Sequence, residues 1–478
     1  MSGGNPIPWT VEKIVTATRG ELLCGNLRQR FSKVSIDSRE IAPPDLFVAI
    51  IGDVHDGHTF ANQVVEQGVG GLVVNRNRIE ALPFEKWQAK NIACIAVEDT
   101  TMALGDLAAF HRKRSAALVA AITGSNGKTT TRELTNAVVR QTFYTLSSLR
   151  NYNNQIGVPL TLLNLQPDHQ LAVVEIGTNH PGEIARLAEI CSPDIGVITN
   201  IGPAHLEGLG SIEGVMREKG DLIKKLKPGG NSVLNADDSR VKRMAKYANG
   251  NVVFFGLSPK ADIRADKIRE IKDGNIFSLV LPDERVSIKL NSPARFMIIN
   301  ALAASAVGYV LGISSANIKA GLEAFTPVAG RMNILKLPNG ITLLDDTYNA
   351  NPSSMKAAIS TLATLRANSR CAFVTGDMLE LGPQAEMLHR EIGVIAARSG
   401  IQRIYAQGEF AEAVAAGARD EGQKSAVTFT GSREEILHDL KQWLQPGDWL
   451  LVKGSRGMAM EKIVEELKDW ADLKVGNA

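Results

Sequence analysis

The 478-residue sequence predicts an α/β protein of three domains built on parallel sheets. Three observations lead there. Domains run to about 150 residues, so this length divides into roughly three. Short apolar runs alternate with helical stretches along the chain, and strands this apolar belong in parallel sheets covered on both faces. Two breaks in the pattern then sort the runs into three groups.

The first group holds "LFVAII", "GGLVVN" and "IACIAV", with "FANQVVEQG" as a helix between the first two. The second holds "ALVAAIT", "LAVVEIG" and "DIGVITNIG"; the third holds "CAFVTGD", "RIYAQG" and "WLLVKGS". One break lies near "HRKRSAALV", where a basic helix end meets a strand. The other lies near "FTPVAGRMN", where Pro327 and Gly330 punctuate between a helix and a new strand. The domains are therefore expected at 1–113, 114–328 and 329–478. Functional loops in such sheets sit at the carboxyl ends of the strands.

Composition excludes several classes. With 53 basic and 51 acidic residues the formal charge is +2, so the chain as a whole has no pull toward nucleic acid or a membrane surface. Cys24, Cys94, Cys191 and Cys371 form no Cys-x-x-Cys pair. A disulfide framework or zinc site is not expected, and a reducing compartment fits. "MSGGNPIPWTVEKIV" lacks the basic-then-apolar pattern of a signal peptide. "FMIINALAASAVGYVLGI" is interrupted by Asn300 and Ser305, so no membrane span is expected. The expected location is cytoplasmic.

The chemistry concentrates in "LVAAITGSNGKTTTREL", where an apolar strand stops in a glycine turn and a helix begins. Gly124, Ser125, Asn126, Gly127, Lys128, Thr129 and Thr130 have the form of a phosphate-binding loop. Glycines let backbone N–H groups converge on a phosphate, and the helix N-terminus favours its charge. Lys128 reaches the outer phosphates and the Thr129 hydroxyl can hold Mg²⁺. The general pattern has glycine five residues before Gly127; here Ile122 stands there. The central domain is thus of P-loop ATPase type. A nucleotide loop needs a metal partner, and two strand ends qualify: Glu175 in "LAVVEIGTNHPGEI" and His205 in "GVITNIGPAHLEGLGS". Carboxylate oxygen suits Mg²⁺, whereas a histidine ligand points to Mn²⁺ tolerance or a second metal. A GTPase-like switch would need Asn-Lys-x-Asp, which is absent from the sequence. A kinase would share the phosphate machinery but deliver to a hydroxyl.

Together "TGSNGKTT", "EIG", "AHLEGLGS" and "DDTYNANPSSM" resemble the Mur ligase superfamily, the ATP-dependent amide ligases of peptidoglycan synthesis. "RNYNNQIGVPLTLL" and "DDTYNANPSSM" are similar to the branch that adds D-alanyl-D-alanine to a UDP-N-acetylmuramoyl-tripeptide. The alternative is the sister branch, which adds the third amino acid to the dipeptide precursor. It carries an Asp-Asp-Tyr-Ala-His-Thr-Pro type of motif where this chain has Asn349 and Asn351.

The resemblance implies a small α/β first domain for the UDP-muramoyl substrate, a central ATP domain, and a Rossmann-like last domain that receives D-Ala-D-Ala. It implies ATP and Mg²⁺ (Mn²⁺ as an alternative) as cofactors, and a monomer. Ser38, Arg39, Asp56, Gly57 and His58 would face the uridine part. Asn151, Asn153 and Asn154, with Thr178, Asn179 and His180, would orient the muramoyl-peptide. Thr129, Glu175 and His205 would ligate metal, joined by Lys219 if it is carbamylated, as many members' lysine is. Asn300 would contact adenine, Arg331 the phosphates, and Asp346 the ribose. Tyr348, Asn349 and Asn351 would lie near the reacting groups. In the last domain Asp377 and Glu380 are candidates for the dipeptide ammonium, and Lys453, Ser455 and Arg456 for carboxylates or phosphate.

Overall fold

The computed structural model describes residues 8–52, 54–148, 152–271, 274–420 and 427–476. Its architecture is α/β, with three main sheets in chain order. The first has five strands, ordered Glu21–Cys24, Ala93–Val97, Gly71–Asn75, Leu46–Val48 and Val34–Ser35. All neighbours pair in parallel except Glu21–Cys24, which runs antiparallel at one edge.

The central sheet has nine strands. Its middle strand for function is Leu118–Thr123, the expected "ALVAAIT" run, flanked in parallel by Leu171–Glu175 and Ile195–Ile198. Every residue of that strand except Leu118 is buried, as a strand covered on both faces requires. Helix Lys128–Val139 follows, burying Leu134, Val138 and Val139 against the sheet. Helix Phe296–Val310 packs beside it and is buried almost all round, the signature of a core helix. This is the longest apolar stretch of the sequence, and Ser305 inside it returns its hydroxyl to the Ala301 carbonyl at 2.8 Å. Among the described residues no helix is long and apolar enough to cross a membrane.

One part of this sheet departs from the parallel expectation. Ile263–Ile271, Gly274–Val280 and Arg285–Leu290 form an antiparallel meander on its edge. These strands alternate polar and apolar residues, with Arg285–Leu290 reading exposed, half-buried, exposed, buried, exposed, buried. The two outer strands leave one face exposed and so show no continuous apolar run, while Gly274–Val280 between them has no exposed residue.

The third sheet has six strands, ordered Asn333–Lys336, Thr342–Asp346, Trp449–Lys453, Cys371–Thr375, Arg403–Ala406 and Val427–Thr430. Only the first is antiparallel to its neighbour. The register sets Asp346 directly opposite Lys453 at the strand ends. Two helices of this domain, Ala385–Arg398 and Ala411–Asp420, cross at glycines. A Cβ on Gly393 would stand 1.9 Å from the Val414 carbonyl oxygen, and one on Gly417 would stand 2.0 Å from that of Arg390. Gly393→Ala is therefore expected to lower the stability of the third domain by about 1–3 kcal/mol through overpacking. Urea unfolding followed by a third-domain probe measures it; a midpoint equal to the parent's would show that the helices part freely.

Candidate functional site

The carboxyl ends of strands from the central and third sheets line one cavity of about 630 Å³. Ser125, Asn126 and Gly127, in the turn between strand Leu118–Thr123 and helix Lys128–Val139, line it. Gly124 has φ +154°, and a Cβ there would meet Thr199 Oγ1 at 1.9 Å. Gly127 has φ +78°, and a Cβ there would meet Asn300 Oδ1 at 2.5 Å. Both positions demand glycine, for conformation and for space. Asn126 is clamped from several sides: its N–H donates to Asn200 Oδ1 at 2.9 Å, and its carbonyl accepts from the Thr199 hydroxyl at 2.6 Å. The Lys128 ammonium donates to the Gly124 carbonyl at 2.9 Å. Lys128 is half-buried at the first turn of the helix.

Thr129 and Glu175, the two expected metal ligands, are in contact. The Thr129 hydroxyl donates to Glu175 Oε2 at 2.8 Å, and Asn153 Nδ2 donates to Glu175 Oε1 at 2.8 Å. Glu175 is buried at 1% exposure, with Arg132 Nη1 at 3.5 Å. Arg331, from the start of the third domain, donates Nη2 to the Thr129 hydroxyl at 2.9 Å. Its guanidinium carbon lies 4.1 Å from the centroid of the Tyr348 ring, and its buried Nε has no hydrogen-bond partner. An unpartnered guanidinium donor is costly unless a ligand supplies the acceptor.

Several titratable groups in and around the cavity are shifted, Asp346 upward by burial and Glu380 downward by its hydrogen bond with His205 among them. Burial lowers the Lys128 pKa, and Arg331 adds to this while Glu175 opposes it. Burial drives the Lys219 amine well below its ordinary value, with the Lys128 charge adding to the effect. Lys219 is fully buried and its Nζ has no hydrogen-bond partner. Burial also lowers the His205 pKa. His205, expected at a metal, lines the cavity, and its Nδ1 meets the Glu380 carboxylate of the third domain. Its backbone sits at φ +54°, and the neighbouring Glu207 N–H donates to the Glu380 carbonyl at 3.1 Å. Among the described residues no three His, Cys, Asp or Glu side chains form a metal site.

The remaining expected residues divide into those on the cavity and those away from it. Asn300 lines it and accepts from the Thr131 hydroxyl at 3.3 Å. Asp346 lines it, bound to Lys453 Nζ at 2.5 Å and to the Met332 N–H at 3.0 Å. Tyr348, Asn349 and Asn351 also line it, and Asn351 Nδ2 donates across the domains to Asn126 Oδ1 at 2.7 Å. Asn154 lines it while its Oδ1 caps the Gly157 N–H at 2.8 Å. Thr178 and Asn179 line it too, whereas His180 belongs to the same turn without reaching the cavity. Asn151 lies outside the described residues.

Ser38, Arg39, Asp56, Gly57 and His58 do not line this cavity. Arg39 is exposed and pairs with Asp37, which pulls the Asp37 carboxyl down to about 2. Both His58 ring nitrogens are used within the fold: Nδ1 meets Asp56 Oδ1 at 2.6 Å and Nε2 accepts from the Asn75 N–H at 2.9 Å. Of the two candidates for the dipeptide ammonium, Glu380 lines the cavity and Asp377 does not. Asp377 is buried and accepts from the Glu409 and Phe410 N–H groups at 2.7 and 3.1 Å, bracing the loop after strand Arg403–Ala406. Glu380 is held by His205.

Sequence inspection overlooked four residues. Arg132 counters the buried Glu175. Asn200 braces the loop, and its position just past "DIGVIT" was the available signal. Glu183 and Glu218 tie down the Thr178–Gly182 turn, accepting from the Asn179 N–H at 2.6 Å and the Gly182 N–H at 2.7 Å. Nothing local marks Glu218 for this, because it acts from a helix 36 residues away.

Comparison with known proteins bears on this geometry. The Mur ligase family, catalytic domain, matches residues 30–112; the Mur ligase middle domain matches 122–308; the Mur ligase, glutamate ligase domain, matches 330–456. The UDP-N-acetylmuramoyl-tripeptide–D-alanyl-D-alanine ligase of Escherichia coli (strain K12) is 36% identical over 463 residues, covering 96% of this chain and 98% of that protein. The crystal structure of MurF from Acinetobacter baumannii superposes with a TM-score of 0.88 at 32% identity, over 97% of this chain and 100% of that one. MurF ligase from Thermotoga maritima, solved in complex with ADP, gives a TM-score of 0.80 at 27% identity over 92% and 98%.

The crowding at Gly124 yields a direct test. Gly124→Ala is expected to give a folded protein whose affinity for ADP falls at least tenfold, because the loop must move off Thr199. Calorimetric titration reads this, and parent-like affinity would show that the loop does not hold the nucleotide.

Proposed function

Because the chain belongs to the Mur ligase family, we propose that it joins D-alanyl-D-alanine to a UDP-N-acetylmuramoyl-tripeptide in peptidoglycan precursor synthesis, driven by ATP. The observation that carries this reading is the cavity itself. It unites a phosphate loop in the central domain with Arg331, Asp346 and Tyr348 of the third. The domain boundaries are placed at 113/114 and 328/329, with the first domain for the uridine part of the substrate. The protein acts in the cytoplasm, as a monomer.

In the proposed reaction the terminal carboxylate of the tripeptide attacks the γ-phosphorus of ATP. The bond from that phosphorus to the β–γ bridging oxygen breaks, giving ADP and an acyl phosphate. The neutral amine of the dipeptide then attacks the acyl carbon. The tetrahedral adduct expels phosphate, the nitrogen loses a proton, and an amide remains. Phosphorylation is needed because a carboxylate is a poor electrophile. Two anions must meet, so the work of the chain is charge neutralisation and positioning.

Lys128 and Arg331 supply fixed positive charge at the transferring phosphate. Arg331 enters with the third domain and reaches Thr129, so phosphate binding and domain closure are coupled. Thr129 and Glu175 offer two hard oxygens in contact at the helix start, a donor set that fits Mg²⁺. When bound there, Mg²⁺ would neutralise phosphate charge. Asn300 would contact the adenine and Asp346 the ribose; both line the cavity. Asn153, Asn154, Thr178 and Asn179 would hydrogen-bond the muramoyl-peptide, and neutral amides do so without cancelling its carboxylates.

Lys219 is assigned to carbamylation. Burial lowers the pKa of its amine and so favours the neutral form, the one that adds to CO₂; the addition yields a carbamate and a proton. The carbamate would be an anion beside Lys128, relieving the repulsion there and adding a carboxylate-like donor near His205. Lys219→Ala is expected to lose most activity, with bicarbonate ineffective and a short carboxylic acid restoring part of it. A ¹³C-bicarbonate NMR signal for a carbamate in the parent, absent from the variant, completes the check; full activity of the variant would refute the assignment.

Phosphate release from ATP, with mass spectrometry of the product, tests the function. Release is expected only when UDP-N-acetylmuramoyl-tripeptide and D-Ala-D-Ala are both present, and Lys128→Ala is expected to slow it by 10²-fold or more. Release with the dipeptide precursor and one free amino acid instead would move the chain to the sister branch.

A further inference from the structure

Helix Glu183–Cys191 begins at Gly182, which has φ +89° and no side chain to cap the free N–H groups of the first turn. Two carboxylates do the capping instead. Glu218 Oε2 accepts from the Gly182 N–H at 2.7 Å, and its Oε1 accepts from the Ile184 N–H at 2.8 Å. Glu183 Oε2 accepts from the Asn179 and His180 N–H groups at 2.6 and 2.9 Å. The Thr178 hydroxyl lies between the two carboxylates, 3.1 Å from Glu183 Oε2 and 3.3 Å from Glu218 Oε1. Glu183 is local to the turn. Glu218 reaches it from helix Ile212–Lys224 and is buried at 4% exposure. A buried carboxylate is tolerated when N–H groups satisfy it, and a helix N-terminus favours its charge.

The turn held in this way forms part of the cavity wall, through Thr178, Asn179 and Glu183. The Asn179 backbone is fixed on both sides. Its N–H is bound by Glu183, and a Cβ on Gly208 would stand 2.0 Å from its carbonyl oxygen, so the two chains are in close contact there. Asn179 is exposed, and among the described residues its side chain makes no hydrogen bond. The neighbouring amides are engaged: Asn153 Nδ2 donates to Glu175, and Asn154 Oδ1 accepts from the Gly157 N–H. Asn179 therefore offers a ligand both its carbonyl and its NH₂ group, on a clamped backbone.

We propose that Glu218 is a positioning residue for the muramoyl-peptide. It does not line the cavity. Through the turn it clamps, it holds the Asn179 amide where the peptide of UDP-N-acetylmuramoyl-tripeptide binds. This rests on the reading that the cavity takes that substrate. An amide held in place loses less freedom on binding than one carried on a loose turn, so the clamp is felt as affinity for this one substrate.

Glu218→Gln keeps the size of the side chain but replaces one acceptor oxygen with an NH₂ group, which then meets the Gly182 or the Ile184 N–H donor to donor. Steady-state phosphate release, with each substrate varied in turn, reads the effect. Glu218→Gln is expected to raise the KM for UDP-N-acetylmuramoyl-tripeptide about tenfold, while kcat and the KM values for ATP and D-Ala-D-Ala stay within about threefold of the parent. Glu218→Asp keeps the charge and is expected to raise that KM less. Asn179→Ala is expected to raise the same KM, and the double variant to exceed the larger single effect by no more than about twofold, because the two residues act as one unit. A fall in kcat with all three KM values unchanged, or single effects that multiply in the double variant, overturns the proposal and leaves the ligase reading intact. If Glu218→Gln does not fold, Glu218→Asp with Asn179→Ala carries the same cycle. If the parent releases no phosphate with the tripeptide and D-Ala-D-Ala, the ligase reading fails and the proposal falls with it.

Discussion

The Thr129 hydroxyl is the joint of this molecule's site. It donates to Glu175 and accepts from Arg331, so one oxygen ties the phosphate-loop helix to a neighbouring strand and to the third domain. A hydroxyl has one donor and two acceptor positions, and both senses are in use. Anything that binds at Thr129 must share or displace these contacts, which makes the position of the third domain sensitive to the contents of the loop. Asn126 with Asn351, and His205 with Glu380, cross the same junction on either side.

The electrostatics of the cavity follow from how its charges are buried. A buried charge is tolerated when paired or when it gives up its proton. Glu175 is paired, with hydrogen bonds from Thr129 and Asn153 and a guanidinium nearby. Lys453 and Asp346 are paired by strand register. Lys219 Nζ has no hydrogen-bond partner, and its pKa is lowered by burial and by Lys128. Arg331 cannot deprotonate, so its unpartnered Nε remains a donor in search of an anion.

Much of the fold was legible because its strands are apolar throughout. The runs at Leu118, Leu171, Ile195, Cys371, Arg403 and Trp449 all became parallel strands, and the loop after Thr123 turned where its glycines are. The antiparallel meander at 263–290 was missed because one-sided burial of its outer strands breaks up the apolar signal. Among site residues, Lys128, Thr129 and Glu175 stand at a helix start or a strand end, where local pattern exposes them, whereas Arg331 and Asp346 came from the family resemblance. Asp377 misled for the same reason: it too follows an apolar strand, yet its carboxylate braces a loop.

The sequence by itself determined the α/β class, the phosphate loop, and the places where chemistry could stand. Those properties depend on local spacing: an apolar run, a glycine turn, a helix start. Only the tertiary structure decided which of the polar strand ends share a cavity, because that depends on how two sheets set their carboxyl edges together. It brought Arg331 to Thr129 across 202 positions and gave His205 to Glu380 across 175. It also buried Lys219 without a partner, which no residue near it in the chain announces. Pairing, burial and pKa are properties of neighbours in space, and the chain acquires those neighbours when it folds.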